Sequence, residues 1–301
     1  MWTKIALAVV AIIGSVFSSS IYFDRTANVS VTPPSATIST TTAPIVPQAK
    51  PFTILVVPGH DTDTGGAVFR DIYERDIVVD LGEKIANELN ATSGYKVILA
   101  RNTQEWNPIL QNYFDQNKQA IIDWKDALQA QDKTLQATGQ EKIVPDSADH
   151  TDVSSTSSLE LYGINKWANE NDVDMLIHLH FNNTERPDMN EPGLLHGFTV
   201  FIPDAQRSNS TTSRAIAKNI FTELKKDFSP EIVNDDPDGL IEDQSLIALG
   251  ASNTLTKPSM LIEYGYVYDT DLQTTSDREK TLSQMASDTV AGIMDYVNST
   301  K

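Results

Sequence analysis

Residues 54–60, ILVVPGH, followed by ERDIVVDLGEKIANELN at 74–90 and YKVILAR at 95–101, decide the fold. Residues 52–58, FTILVVP, put five apolar side chains into seven positions, the density of a strand buried on both faces. In the second segment Ile77, Val78, Leu81, Ile85 and Leu89 recur at three- and four-residue steps, which predicts an amphipathic helix. A strand, a helix and a second strand reached by a short turn form a βαβ unit, so the two strands should run parallel with a right-handed crossover. The pattern resumes with a helix over about 159–170, strands in DMLIHLHF (174–181) and GFTVFIP (197–203), and a helix over 213–228. A helix near 243–253, a strand in PSMLIEYGY (258–266) and a C-terminal helix opened by a capping box from Ser276 to Glu279 complete it. The fold class is therefore α/β: three-layer αβα with a mostly parallel twisted sheet, plus an inserted helical arm.

That arm lies at 107–156, a polar, glutamine-rich segment with Ile109, Tyr113, Ile121, Trp124, Leu128 and Leu135 at roughly helical spacing, and Trp124 is expected to pack it on the domain. Residues 1–23 carry one lysine and then an apolar stretch, the layout of a signal peptide or N-terminal membrane anchor; anchoring would run through residues 5–23. Residues 24–50 are rich in Ser, Thr and Pro without periodic apolar positions, a disordered linker. The ordered domain is expected at 51–301.

A formal charge of −18 leaves no basic stripe to neutralise phosphates, which excludes nucleic acid as a partner. The absence of cysteine rules out disulfides and thiolate metal sites, so any transition metal must be held by His, Asp or Glu. Three such residues close apolar runs: His60 ends ILVVPGH, His180 ends MLIHLH and Glu263 ends SMLIE. In open α/β sheets the carboxyl ends of parallel strands line the ligand crevice, so these side chains can converge from distant parts of the chain. Glu74, opening the first helix, can fold back toward His60. Two imidazoles and a carboxylate leave a fourth position for water on a tetrahedral zinc, and a second carboxylate can shuttle its proton. Each residue alone has a plainer reading: a hydrogen-bonded histidine, a glutamate complementing a helix dipole.

Together these stretches resemble the catalytic domain of the zinc-dependent N-acetylmuramoyl-L-alanine amidases, bacterial enzymes that cut between muramic acid and the peptidoglycan stem peptide. VVPGH resembles the family's first motif, Glu74 its helix-opening glutamate, YKVILAR its next strand and arginine, DMLIHLHFNN its His-x-Asn strand, and PSMLIEYGY its final Pro-strand-Glu-Gly pattern. The resemblance implies His60, Glu74 and His180 as zinc ligands, Glu263 as the catalytic carboxylate and Asn182 as a supporting residue. It implies peptidoglycan as substrate and an exported protein of the cell envelope, with wall remodelling or cell separation as the setting. Three departures stand out. PGH is followed by DTDTGG instead of a glycine-rich GGxD. His178 stands where the family commonly has serine, and because it shares a strand face with His180 the ligand can be either, with His180 favoured at the strand exit. The helix that covers the zinc in some relatives has no room in the short link after Asn183, and the 107–156 arm is expected instead to form a cleft wall or a docking site for a protein activator. His178 and His196 are expected near the substrate or behind the ligands, and His150 in solvent. Two rival functions remain: a zinc carboxypeptidase on wall peptides, for which Arg70 and Arg75 are the available carboxylate clamps, and a catalytically inactive wall-binding protein of the same fold.

Overall fold

The computed structural model describes residues 50–61, 65–144, 154–231 and 239–300. The expected signal or anchor, most of the linker and His150 lie outside these residues. No helix among the described residues is long and apolar enough to cross a membrane.

The chain runs β1 (Phe52–Pro58), a small hairpin of β2 (Val68–Phe69) and β3 (Ile72–Tyr73), α1 (Glu74–Ala91), β4 (Tyr95–Leu99), α2 (Pro108–Ala137), α3 (Ser155–Glu170), β5 (Met175–Asn182), β6 (Thr199–Pro203), α4 (Ser210–Asp227), β7 (Leu240–Asp243), β8 (Ser259–Tyr266) and α5 (Thr275–Ser299). Six strands form one sheet in the order β4-β1-β5-β8-β6-β7. All pairings are parallel except β6 with β8.

Alternation along the strands divides the core. Ile54, Val56, Ile177, Leu179 and Ile262 pack with Leu81 and Ile85 of α1, Ile220 of α4 and Leu282 of α5. Leu55, Val57 and Leu176 face the other way, against Leu110 of α2 and Ile164 and Trp167 of α3. By the same alternation His178 and His180 follow Leu176 onto that second face, and the register pairs His180 with Glu263 and Glu263 with Thr199.

Two expectations need correction. The helix predicted at 243–253 is instead the end of β7 followed by two 3₁₀ turns, Ile247–Leu249 and Ala251–Asn253. Asp243 Oδ1 accepts from the backbone N–H groups of Ser245 and Leu246, both at 2.8 Å, and so turns the chain out of the strand. Gly250 (φ 91°) and Ser252 (φ 56°) are left-handed, which interrupts any helix there. The cap of α5 is Thr274, whose side chain accepts from Asp277 N at 3.1 Å, two residues before the predicted box.

Of the arm expected at 107–156, the described residues form α2, a helix of 30 residues, with residues 138–144 after it and, from Ser155, the start of α3. The helix α2 lies against the domain and is clamped near its far end. Arg207 Nη1 is 2.8 Å from Asp132 Oδ1 and 3.1 Å from Glu141 Oε1, with all three side chains almost fully buried. Gln244 donates to Glu141 Oε1 at 2.8 Å, and Ser252 donates to Asp132 Oδ2 at 3.2 Å. Trp124 is half-buried with Lys166 over its ring.

Candidate metal centre

The site begins where β1 ends. Arg101, 2% exposed, donates to the carbonyl oxygens of Pro58 (3.2 Å), Arg75 (3.0 Å), Asn102 (3.0 Å) and Gly59, pinning the strand exit to the start of α1. Burial draws its pKa down to about 10, so it stays charged at neutral pH. Beyond it the backbone bends sharply: His60 takes a left-handed φ of 61°, a costly conformation for a residue with a side chain and one that clusters at functional sites. Gly59 and Gly66 leave room for the imidazoles and the carboxylate gathered there. A Cβ at 59 would lie 2.3 Å from the His180 ring, and one at 66 would lie 2.4 Å from both Glu74 Oε2 and the His60 ring.

Glu74, the first residue of α1, is 3% exposed. Oε2 accepts from Ala67 N at 2.7 Å and lies 2.9 Å from His60 Nε2; Oε1 accepts from Phe181 N at 3.1 Å and lies 3.0 Å from His180 Nδ1. Burial alone would raise its pKa, but the hydrogen bonds and charges of His180 and His60 prevail and hold the carboxyl well below the usual range. The ligating atoms of His60, Glu74 and His180 lie within 4.8 Å of one another, and the two rings meet edge to face with centroids 5.2 Å apart. Two imidazoles and an anionic carboxylate at this spacing form a donor set that fits zinc, whose bonds are about 2 Å long.

Glu263 lies on the same sheet face, 7% exposed, with Oε2 buried and unpartnered. Burial, followed by the charges of Glu74 and Glu231, pushes its pKa well above the usual carboxylate value. His178 is 1% exposed with Nε2 unpartnered, and burial draws its pKa down to about 3, so the ring is neutral. His60, Glu74, His178, His180, Asn182 and Glu263 all line one cleft of about 750 Å³. His196 does not: it is largely exposed, 2.6 Å from Asp269 Oδ1 and edge-on to Tyr268. Arg70 and Arg75 also lie outside the lining, over the rings of Phe69 and Tyr73.

Sequence reading missed two cleft residues. Asp61 accepts from Ser157 at the start of α3, 2.9 Å away. Glu231 accepts from Tyr266 Oη at 2.9 Å and Thr199 Oγ1 at 3.3 Å. It sits in a loop, where no periodicity marks it, and reaches the site through the bridge between Phe198 and Pro230.

The solved structures that share the fold include the following three. The CwlD amidase of Clostridioides difficile, in complex with the GerS lipoprotein, has a TM-score of 0.52 at 17% identity, covering 82% of this chain and 98% of that one. Ami1 of Mycobacterium smegmatis has a TM-score of 0.51 at 15% identity, covering 83% and 98%. The catalytic domain of CwlV from Bacillus (Paenibacillus) polymyxa var. colistinus has a TM-score of 0.51 at 14% identity, covering 82% and 98%. No curated protein sequence matches the chain. The sequence model of the N-acetylmuramoyl-L-alanine amidases matches residues 120–295, a span that includes His180 and Glu263 and starts after His60 and Glu74. With more than half of its length matched in this way, the chain belongs to the N-acetylmuramoyl-L-alanine amidase family and is a hydrolase.

Proposed function

We propose that this family member is a zinc-dependent amidase of the cell envelope, hydrolysing the bond between N-acetylmuramic acid and the L-alanine of the peptidoglycan stem. One observation carries the reading: three distant segments bring His60, Glu74 and His180 within 4.8 Å of one another, beside the buried carboxyl of Glu263. Those three residues would hold the ion. When bound, zinc supplies Lewis acidity, polarising a carbonyl oxygen and making water a better nucleophile at neutral pH.

The rest is done by side chains. The Glu74 carboxylate is itself held in place by Ala67 N and Phe181 N, which fixes it between the two imidazoles. Glu263 takes a proton from the attacking water and delivers it to the departing amide nitrogen, a task suited to a carboxyl whose burial raises its proton affinity. Asn182, at the end of β5, reaches the substrate at the cleft edge. The products are glycan strands stripped of peptide and free stem peptide. The relative CwlD is seen with a lipoprotein; a protein activator of this chain would engage the outward face of α2, because the inward face packs on α3.

The test measures zinc content and the products released from purified sacculi, for the wild type and Glu263→Gln. Expected are equal zinc in both proteins, intact stem peptides from the wild type, and a rate about 10²- to 10⁴-fold lower in the variant. Release of single amino acids would favour the carboxypeptidase, and a zinc-free, inactive wild type would favour the wall-binding protein.

A further inference from the structure

His180, Glu263 and Thr199 stand in one row across the sheet. The strand order β5-β8-β6, with Glu263 paired to His180 on one side and to Thr199 on the other, puts a metal ligand and a hydroxyl on opposite flanks of the catalytic carboxyl. Neighbouring strands lie about 4.8 Å apart, so the row spans about 10 Å. The Thr199 flank ends on Glu231. Its Oε2 accepts from Thr199 Oγ1 at 3.3 Å and from Tyr266 Oη at 2.9 Å, Oε1 has no partner among the described residues, and the half-buried side chain lines the cleft. The backbone behind it is fixed as well: Glu231 N donates to Phe198 O at 2.9 Å and Phe198 N to Ser229 O at 3.1 Å. Gly197 permits that approach, with a φ of 105° and a position where a Cβ would lie 2.7 Å from Ser229 O and 2.8 Å from Glu231 N. A carboxylate anchored through one oxygen, with the second unpaired beside a reaction centre, is built to accept from a ligand.

Amide hydrolysis creates a charge in this place. The carbonyl carbon takes the oxygen of water, the C–N bond breaks, and both water protons end on the nitrogen, one of them through Glu263. A neutral amide thus leaves as a carboxylate and an ammonium, since an α-amino group titrates near pH 8, about one unit above neutrality. The carbonyl oxygen belongs on the His180 side of the row, so the nitrogen that Glu263 protonates faces the Glu231 side. The charge of a bound ion is opposed by Glu74 and by the new carboxylate, which leaves the new ammonium to Glu231.

We propose that Glu231 is a further catalytic residue, whose Oε1 accepts from the departing amine and holds it as ammonium. This inference rests on the amidase reading above and deepens it by assigning the leaving-group side of the same site. The experiment uses the zinc-loaded chain and two muramoyl peptides alike except at the scissile bond, an amide to L-alanine or an ester to L-lactate. The ester releases a neutral alcohol, with no N–H and no cation. Glu231→Gln keeps an acceptor for Thr199 and Tyr266, so fold and zinc content should be retained. Expected is a loss of about 10- to 100-fold in kcat/KM on the amide, the size of one charge-assisted hydrogen bond, and a far smaller loss on the ester. A second arm needs no turnover: calorimetry should show the released peptide bound more tightly than its N-acetylated form by the wild type, and the two bound alike by Glu231→Gln. No loss on the amide, losses of equal size on both substrates, or product binding indifferent to the free amine would each overturn the inference while leaving the amidase intact. A wild type that releases no stem peptide would bring down the amidase reading and this inference with it.

Discussion

A methyl group at position 59 would land on the His180 ring, because the ideal Cβ lies 2.3 Å from Cε1. Gly59→Ala is therefore expected to displace an imidazole and weaken zinc binding by about 10- to 100-fold, the cost typical of disturbing a ligand's support; competition with a chelating dye measures it. The two carboxyls predict opposite responses to pH. Glu74 is depressed below its unfolded value, so its contribution is present above about pH 4.5 and disappears as pH falls through the folded value. Glu263 is raised, so its contribution is complete below its unfolded value and is lost as pH climbs from there. In metal-free protein Glu263→Gln should accordingly raise Tm at pH 8, by about 2–4 °C per kcal/mol relieved, and the gain should vanish near pH 4. Thermal melts across that range decide it. His60, His180 and Glu263 were legible because each closes an apolar run, and Glu74 because it opens a helix. Glu231 was not, since nothing in its own neighbourhood says that a backbone bridge carries it to Tyr266.

Among the elements, α2 is held by one cation with two acidic partners. Arg207→Ala leaves Asp132 and Glu141 buried without their counter-charge, and a loss of about 3–5 kcal/mol is expected, read as a lower urea midpoint. Arg207→Ala combined with Asp132→Asn and Glu141→Gln should recover part of it. The periodicity of Ile109, Tyr113 and Ile121 announced α2, but the clamp was invisible, because Arg207 and Gln244 meet it from loops with no pattern of their own. The short β7 escaped notice for a related reason: with LIED only four residues long, its neighbours' helical spacing absorbed it. Local chemistry then decided against the helix, through the Asp243 turn and the left-handed residues after it.

For the molecule as a whole, a metal joining β1, α1 and β5 would bind only the folded chain. Removing it with a chelator should lower Tm, by an amount equivalent to about 2.7 kcal/mol when free zinc had stood at 100 times its Kd, and added zinc should restore it. The βαβ unit, the three layers and the mostly parallel sheet could be read from hydrophobic spacing, since that spacing records which faces are buried. The direction of β6 could not, because apolar density in a buried strand is the same either way round. That reversal has an effect on how the chain can be lengthened. As β5 is parallel to β8 and β6 is antiparallel to it, residues 183–198 leave and rejoin the sheet at the same end, the one where His180 and Glu263 stand. Extra residues spliced there would disturb no strand pairing and would add little closure entropy, so this connection is where a plug or a recognition loop can be grafted over the reaction centre while the barrier of refolding the sheet is never met.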